Sequence, residues 1–250
     1  MRGLRDIVLY MLFAGAAFPQ VSTEKEMLLG QQLAAEIDSE QTMITDAEVT
    51  GFVDRVLKTL SRNESLRLPL KLRIIDNSEL VASALPGGFL VLSSGAILRA
   101  DTEAELAGLL SHAMGHVQTG QFTGPTKATG TSVPWVFVGG RWGSCVRSAD
   151  GTGQVLMPVG LFAQSDLRES QADELGLGYL TNAGYDPEAL VSVFEQWRGK
   201  FGPGEEVRAK AAALTSVSVT SILNTSTFDK IKTRLAPRPA SARLLPTLYK

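Results

Sequence analysis

The stretch from Thr102 to Val117, TEAELAGLLSHAMGHV, constrains this chain more than any other. Leu106, Leu109, Leu110, Ala113 and Val117 recur at the spacing of one face of an α-helix. Thr102 followed by Glu105 has the spacing of a capping box, which predicts the start of that helix. His112 and His116 are the only 2 histidines among 250 residues, and they stand four apart. A helix brings both imidazoles to one face, one turn apart, where they can hold a single metal ion.

The rest of the chain bounds what surrounds that helix. A hydrophobic content of 44% over this length supports one sizeable globular domain with a real core. The net charge is −2, and no basic stripe interleaves with aromatics, which argues against a nucleic-acid partner. Residues 1–20 read as a signal peptide: Arg2 and Arg5 precede an apolar run from Ile7 to Phe18, and Ala14–Gly15–Ala16 offers small residues for cleavage. Asp6 interrupts the basic start, and a buried N-terminal helix is the alternative reading. The run of 12 residues is too short to span a bilayer, so no transmembrane span is expected after leader removal. The expected location is outside the cytoplasm, periplasmic or secreted. A lone cysteine, Cys145, rules out an internal disulfide framework, leaving core or metal to stabilise the fold.

Helices are predicted over residues 23–37, with Met27, Leu28, Leu33 and Ile37 inward, and from an Asp46 N-cap to about Arg62. Strands are predicted at 70–76 and 89–94, flanking a Pro86–Gly87–Gly88 turn. Residues 119–160 are rich in Gly, Ser and Thr around an aromatic island, Trp135 to Trp142, and read as a flap, an insertion or a disordered excursion. Helix resumes near Gly160 and stops at Asn182–Ala183–Gly184; further helices start at Asp186–Pro187 and at Glu205. A Pro-rich tail follows Ala236. Residues 21–250 are taken as a single domain.

A metal site of this design needs a third ligand from another element. Glu169 in RESQADELGLGYL is the best candidate, with Glu174 the weaker one. Asp173, four residues after Glu169 on the same helical face, suits a hydrogen bond to the outer nitrogen of a ligand histidine. The bland alternative is a solvated helix face bearing two acids.

Four blocks in order carry a resemblance: EKEMLLGQQLAAEI, ASALPGGFLVLSSGAIL, DTEAELAGLLSHAMGHV and RESQADELGLGYLTNAGYDPEAL. Together they resemble the HtpX-like and CAAX-prenyl-protease-type zinc metallopeptidases, family forty-eight of the metallopeptidases, in the style of their soluble exported BepA-like members. The resemblance implies an α+β fold, mainly helical and zincin-like, with a small mixed or antiparallel sheet beside the metal cleft. It implies one zinc ion on His112, His116 and Glu169, with Asp173 behind a histidine. It also implies a substrate edge near residues 80–93, around Leu85, Pro86, Gly87 and Gly88, that takes an extended or unfolded polypeptide by strand addition.

The departures are as informative. In the HExxH motif of these enzymes a glutamate follows the first histidine and works as general base. Here that residue is Ala113. Gln164–Ser165–Asp166 stands where the family often has Tyr-Ser-Arg, and Val81–Ala82–Ser83–Ala84 where it commonly has Asn-Ala-Phe-Ala. The family's His-Pro…Arg segment survives as Pro237 and Arg243. Hydrolysis is therefore expected to be lost or strongly impaired, with polypeptide binding or a chaperone-like role toward an envelope protein retained. Three rivals stay open: an active metalloendopeptidase with another base, Asp150 being the one carboxylate in the 119–160 segment; a metal-free interaction module; and a zinc that only stabilises the fold. Ala113 also reads simply as a packing residue on the apolar stripe.

Overall fold

The computed structural model describes residues 23–120, 135–138, 143–148, 154–158, 166–198, 204–217 and 221–236. The expected leader, Asp150, Trp142 and the Pro-rich tail lie outside the described residues, as does the stretch after Gly160 where helix was expected to resume. The molecule is mainly helical with a small mixed sheet, as the sequence leads one to expect.

The helices are α1 (Thr23–Glu40), α2 (Ala47–Ser61), α3 (Ser94–Arg99), α4 (Glu103–Thr119), α5 (Asp166–Ala183), α6 (Glu188–Arg198), α7 (Glu205–Val217) and α8 (Ser226–Leu235). Asp46 caps α2 by accepting from the backbone N–H of Glu48 (3.0 Å) and Val49 (3.3 Å). The inward face of α2 is Val49, Phe52, Val53, Val56, Leu57 and Leu60, all buried.

Most of the inward face expected for α1 is found, with Leu33 buried and Met27 and Ile37 packed against the core, but Leu28 is not part of it. Leu28 is exposed, whereas Glu26, Gly30, Leu33 and Ala34 are buried. The physical reason is an ion pair. Arg67 forks onto the Glu26 carboxylate at 2.6 and 2.7 Å. A buried glutamate with a bidentate partner can occupy the inward position that a leucine would otherwise take.

Strands β1 (Lys71–Ile75), β2 (Ala82–Leu85) and β3 (Phe89–Ser93) form a sheet in the order β1-β3-β2. β1 runs parallel to β3, with Lys71 opposite Phe89, and β2 runs antiparallel to it, with Leu85 opposite Phe89. β3 is central and buried along its whole length, which is why FLVLS reads as a continuous apolar run. The edge expected across residues 80–93 is therefore β2 alone, since β3 has a partner on both sides. Ser94 leaves the strand and opens α3, with the Ser93 hydroxyl accepting from the Ala96 N–H (3.0 Å).

The Pro86–Gly88 turn between β2 and β3 is a single 3-10 turn with φ of 75° at Gly87 and 83° at Gly88. Only glycine adopts that backbone without strain. Leu85, Pro86, Gly87 and Gly88 are all buried. α1 covers the turn: Gly30 sits against the Pro86 carbonyl, and a Cβ on Gly87 would lie 3.0 Å from the Met27 Cα. The turn itself packs against α1, and Leu85 ends the edge strand β2.

Residues 119–160 contain a second, antiparallel sheet in the order β4-β5-β6: β4 (Trp135–Val138), β5 (Gly143–Ser148) and β6 (Gln154–Pro158). Trp135 and Cys145 lie on β4 and β5.

α4 is the hub. The stripe predicts one buried face, but Ser111, His112, Met114 and Gly115 are buried as well, so the helix is enclosed on nearly all sides. It packs against α5, α6, α2 and β2. Its first turn carries two buried glutamates, and each is satisfied. Glu105 accepts from the Asp101 N–H (2.6 Å) and the Ser192 hydroxyl (2.9 Å). Glu103 accepts from the Tyr185 hydroxyl (2.8 Å) and from Thr225.

Candidate metal centre

α4 and α5 carry the site between them. The Thr102 hydroxyl caps α4 by accepting from the Glu105 N–H (3.2 Å), and the helix continues through both histidines to Gly120. On α5, Glu169 and Asp173 are one turn apart and face α4. His112, His116 and Glu169 offer one nitrogen, one nitrogen and one oxygen that all lie within 4.8 Å of one another. The two Nε2 atoms are 2.8 Å apart. Glu169 Oε1 is 3.4 Å from His116 Nε2, and Oε2 is 3.6 Å from His112 Nε2.

Behind the cluster, His112 Nδ1 lies 2.8 Å from Asp173 Oδ1, with both side chains buried. A proton on Nδ1 is donated to the carboxylate, which leaves the Nε2 lone pair directed at His116 and Glu169. The Phe194 ring on α6 packs edge-on against the His112 imidazole at 4.7 Å between centroids. Phe194 escaped the sequence reading because nothing local links α6 to α4.

The donor set suits zinc. Two imidazole nitrogens and a carboxylate oxygen form a ligand trio used by catalytic zinc sites, with the fourth position left for water or substrate. Bonds of about 2.0–2.1 Å place tetrahedral ligands roughly 3.3 Å apart. The Glu169 distances match that spacing, and the imidazole pair needs to open by about half an ångström. Glu174 faces elsewhere and pairs with Lys210 on an exposed face (2.9 Å).

Ala113 is only 2% exposed and belongs to the main apolar cluster. At about 100° per residue its Cα lies on the flank of the histidine face, toward Leu106 and Val117.

Two imidazoles on a central helix and a carboxylate from a crossing helix, beside a small mixed sheet, define a metallopeptidase-family domain. Residues 47–225 match the model of Peptidase family M48, and the chain belongs to that family of zinc-dependent peptidases. The beta-barrel assembly-enhancing protease of Escherichia coli (strain K12) is 24% identical over 185 residues, covering 70% of this chain and 38% of that protein. Proteins of the same name from Shigella flexneri and Yersinia pestis show the same 24% over 185 residues. The chain thus spans about 38% of the length of the curated relatives it matches. No helix among the described residues is long and apolar enough to cross a membrane.

Proposed function

We propose that this chain is an exported, zinc-binding domain of the metallopeptidase family in which peptide hydrolysis is lost or strongly reduced and binding of extended polypeptide is retained. The observation that carries the reading is the pairing of a complete ligand trio with an alanine, Ala113, at the base position. His112, His116 and Glu169 hold one zinc ion, and Asp173 orients His112. Bound zinc would supply Lewis-acid polarisation of a carbonyl and acidification of a water. The chain's own residues supply no group at position 113 to take that water's proton or return it to the leaving amine. General acid–base catalysis is worth about 10²- to 10⁴-fold, roughly 3–5 kcal/mol of barrier.

Retained binding draws support from β2. Among the described residues it pairs only with β3, lies at the sheet edge and packs beside α4, so an added strand would run past the metal helix. Export rests on the basic-then-apolar leader at residues 1–20, with 21–250 as one domain. The names of the relatives make an envelope protein under assembly the favoured partner, with a chaperone-like or assembly role.

Metal analysis and a casein assay test this together. The purified chain is expected to carry zinc at 1:1 and to leave unfolded casein intact, while Ala113→Glu gains cleavage that a chelator abolishes. Casein cleavage by the unaltered chain at the rate of an intact family member would defeat the reading, and a zinc-free protein would favour the interaction module.

A further inference from the structure

We propose that Gly115 is a positioning residue for the metal centre: its missing side chain sets the distance at which Glu169 and Asp173 meet the two histidines. This rests on the zinc reading above and adds the device that makes the site's geometry.

Gly115 lies between His112 and His116 on α4, where α5 crosses. A Cβ there would stand 2.5 Å from the Ala172 carbonyl oxygen, 2.8 Å from the Ala172 Cα and 3.0 Å from its carbonyl carbon. All three are backbone atoms of a fully buried residue, so no side chain can swing aside. Ala172 stands between Glu169 and Asp173 on the same turn of α5. Whatever displaces its backbone displaces both acids.

The approach is reciprocal. One turn further along α5, a Cβ on Gly176 would lie 3.2 Å from the His112 backbone nitrogen and 3.2 Å from the Ser111 hydroxyl oxygen. The two helices approach closely at two successive places along the crossing, within the ligand set and one turn beyond it. Glycine is disfavoured in a helix interior, so two of them facing each other's helix at one crossing require a cause beyond propensity.

The tolerances decide the consequence. Restoring an ordinary contact of about 3.5 Å would push α5 back by about 1 Å. Metal–ligand distances hold within about 0.2 Å. Glu169 has enough torsions to extend and follow the metal. Asp173 is shorter and already spans 2.8 Å to His112 Nδ1, so its contact breaks first.

The test uses the full chain, zinc affinity by chelator competition and the visible spectrum of the cobalt(II) form. Gly115→Ala is expected to weaken zinc on the order of 10- to 100-fold, the usual effect of losing a histidine's outer partner, and to alter the cobalt bands. Gly176→Ala, needing only a few tenths of an ångström, is expected to lose less than tenfold. Gly95→Ala on α3 is the control: its Cβ would run into the Ser78 carbonyl, so it lowers the melting temperature while zinc affinity and spectrum stay as in the parent. A folded Gly115→Ala with parental affinity and spectrum overturns the proposal, as does equal weakening by Gly95→Ala. Should Gly115→Ala fail to fold, unchanged affinity in Gly176→Ala overturns it instead. A parent chain that binds no zinc defeats the reading of the site itself, a result distinct from either.

Discussion

Asp173 is where a single carboxyl group does two jobs. It accepts from His112 Nδ1 at 2.8 Å in a place where both side chains are buried, so it fixes the ring's orientation and its tautomer at once. Asp173→Asn keeps an acceptor oxygen but loses the charge that makes the imidazole a stronger donor to metal. Asp173→Ala removes the acceptor as well, which for a buried N–H costs about 1–3 kcal/mol. Both variants are expected to weaken zinc on the order of 10- to 100-fold. Only the alanine variant should also destabilise the metal-free protein in a urea titration. Equal affinities for Asp173→Asn and the parent would mean that His112 is held by packing, with the Phe194 ring as its brace. At this scale the site was legible wherever the signal is a spacing. The two histidines and the two acids each stand four apart, and helical geometry converts that directly into a shared face. Phe194 and Gly115 were not legible as site residues, because what gives each its role is a neighbour on another helix.

Elements add the non-local contacts that spacing does not encode. α4 starts at a capping threonine, and its first turn buries Glu103 against the Tyr185 hydroxyl, which follows α5. Burial, and then the bond to Glu103, raise the Tyr185 pKa well above its ordinary 10.0. Burial, and then the Glu64 charge, push Tyr179 on α5 up to about 12. A raised folded-state value means that the neutral ring's contribution is complete below pH 10 and declines as pH climbs toward the folded value. The fold is therefore expected to hold steady from neutrality to pH 10 and to weaken between pH 10 and 12, read by urea midpoints across that window. Tyr185→Phe should cost about 1.5–3 kcal/mol at pH 8, the worth of a hydrogen bond to a charged group, and should make the alkaline decline shallower. An unchanged alkaline slope in that variant would put the decline elsewhere. α2 and the start of α4 were legible because caps and stripes are local. The strand order was not, since β3 takes its central place from a parallel partner, β1, that precedes β2 in the chain. Nor was the burial of Glu26 on the inward face of α1, because Glu26 and Arg67 are separated by 41 positions and only the folded chain brings them together.

That ion pair works at the scale of the molecule. Glu26 is 1% exposed and Arg67 about one-third exposed, so the pair stands at the margin of the core, with the acid inside and the base reaching out. The Glu26 carboxylate also accepts from the Gly87 N–H at 3.4 Å, which ties α1 to the turn of the sheet. The guanidinium continues to the Val117 carbonyl, at 3.3 Å from Nε and 3.2 Å from Nη2. Val117 is the residue after His116, so the two side chains together link the first described helix, the β2–β3 turn and the C-terminal end of α4. A cation is well placed there, because carbonyls left open at a helix C-terminus carry partial negative charge. Arg67→Ala strands a buried carboxylate and leaves the Val117 carbonyl with the Gly120 N–H (3.3 Å) in place of the guanidinium. Breaking one partner of a buried pair costs about 3–5 kcal/mol, whereas replacing both with apolar groups of similar size is often near neutral. The expected order of urea stability is therefore parent, then Glu26→Leu with Arg67→Met, then Arg67→Ala. The double variant recovers the cost of burying an unpaired charge but leaves the Val117 carbonyl without the guanidinium, so it should fall short of the parent. Equal stability of Arg67→Ala and the parent would show that α1 is held by its apolar packing, Leu33 and Ala34 included, with the ion pair contributing nothing to the assembly of the sheet turn and α4.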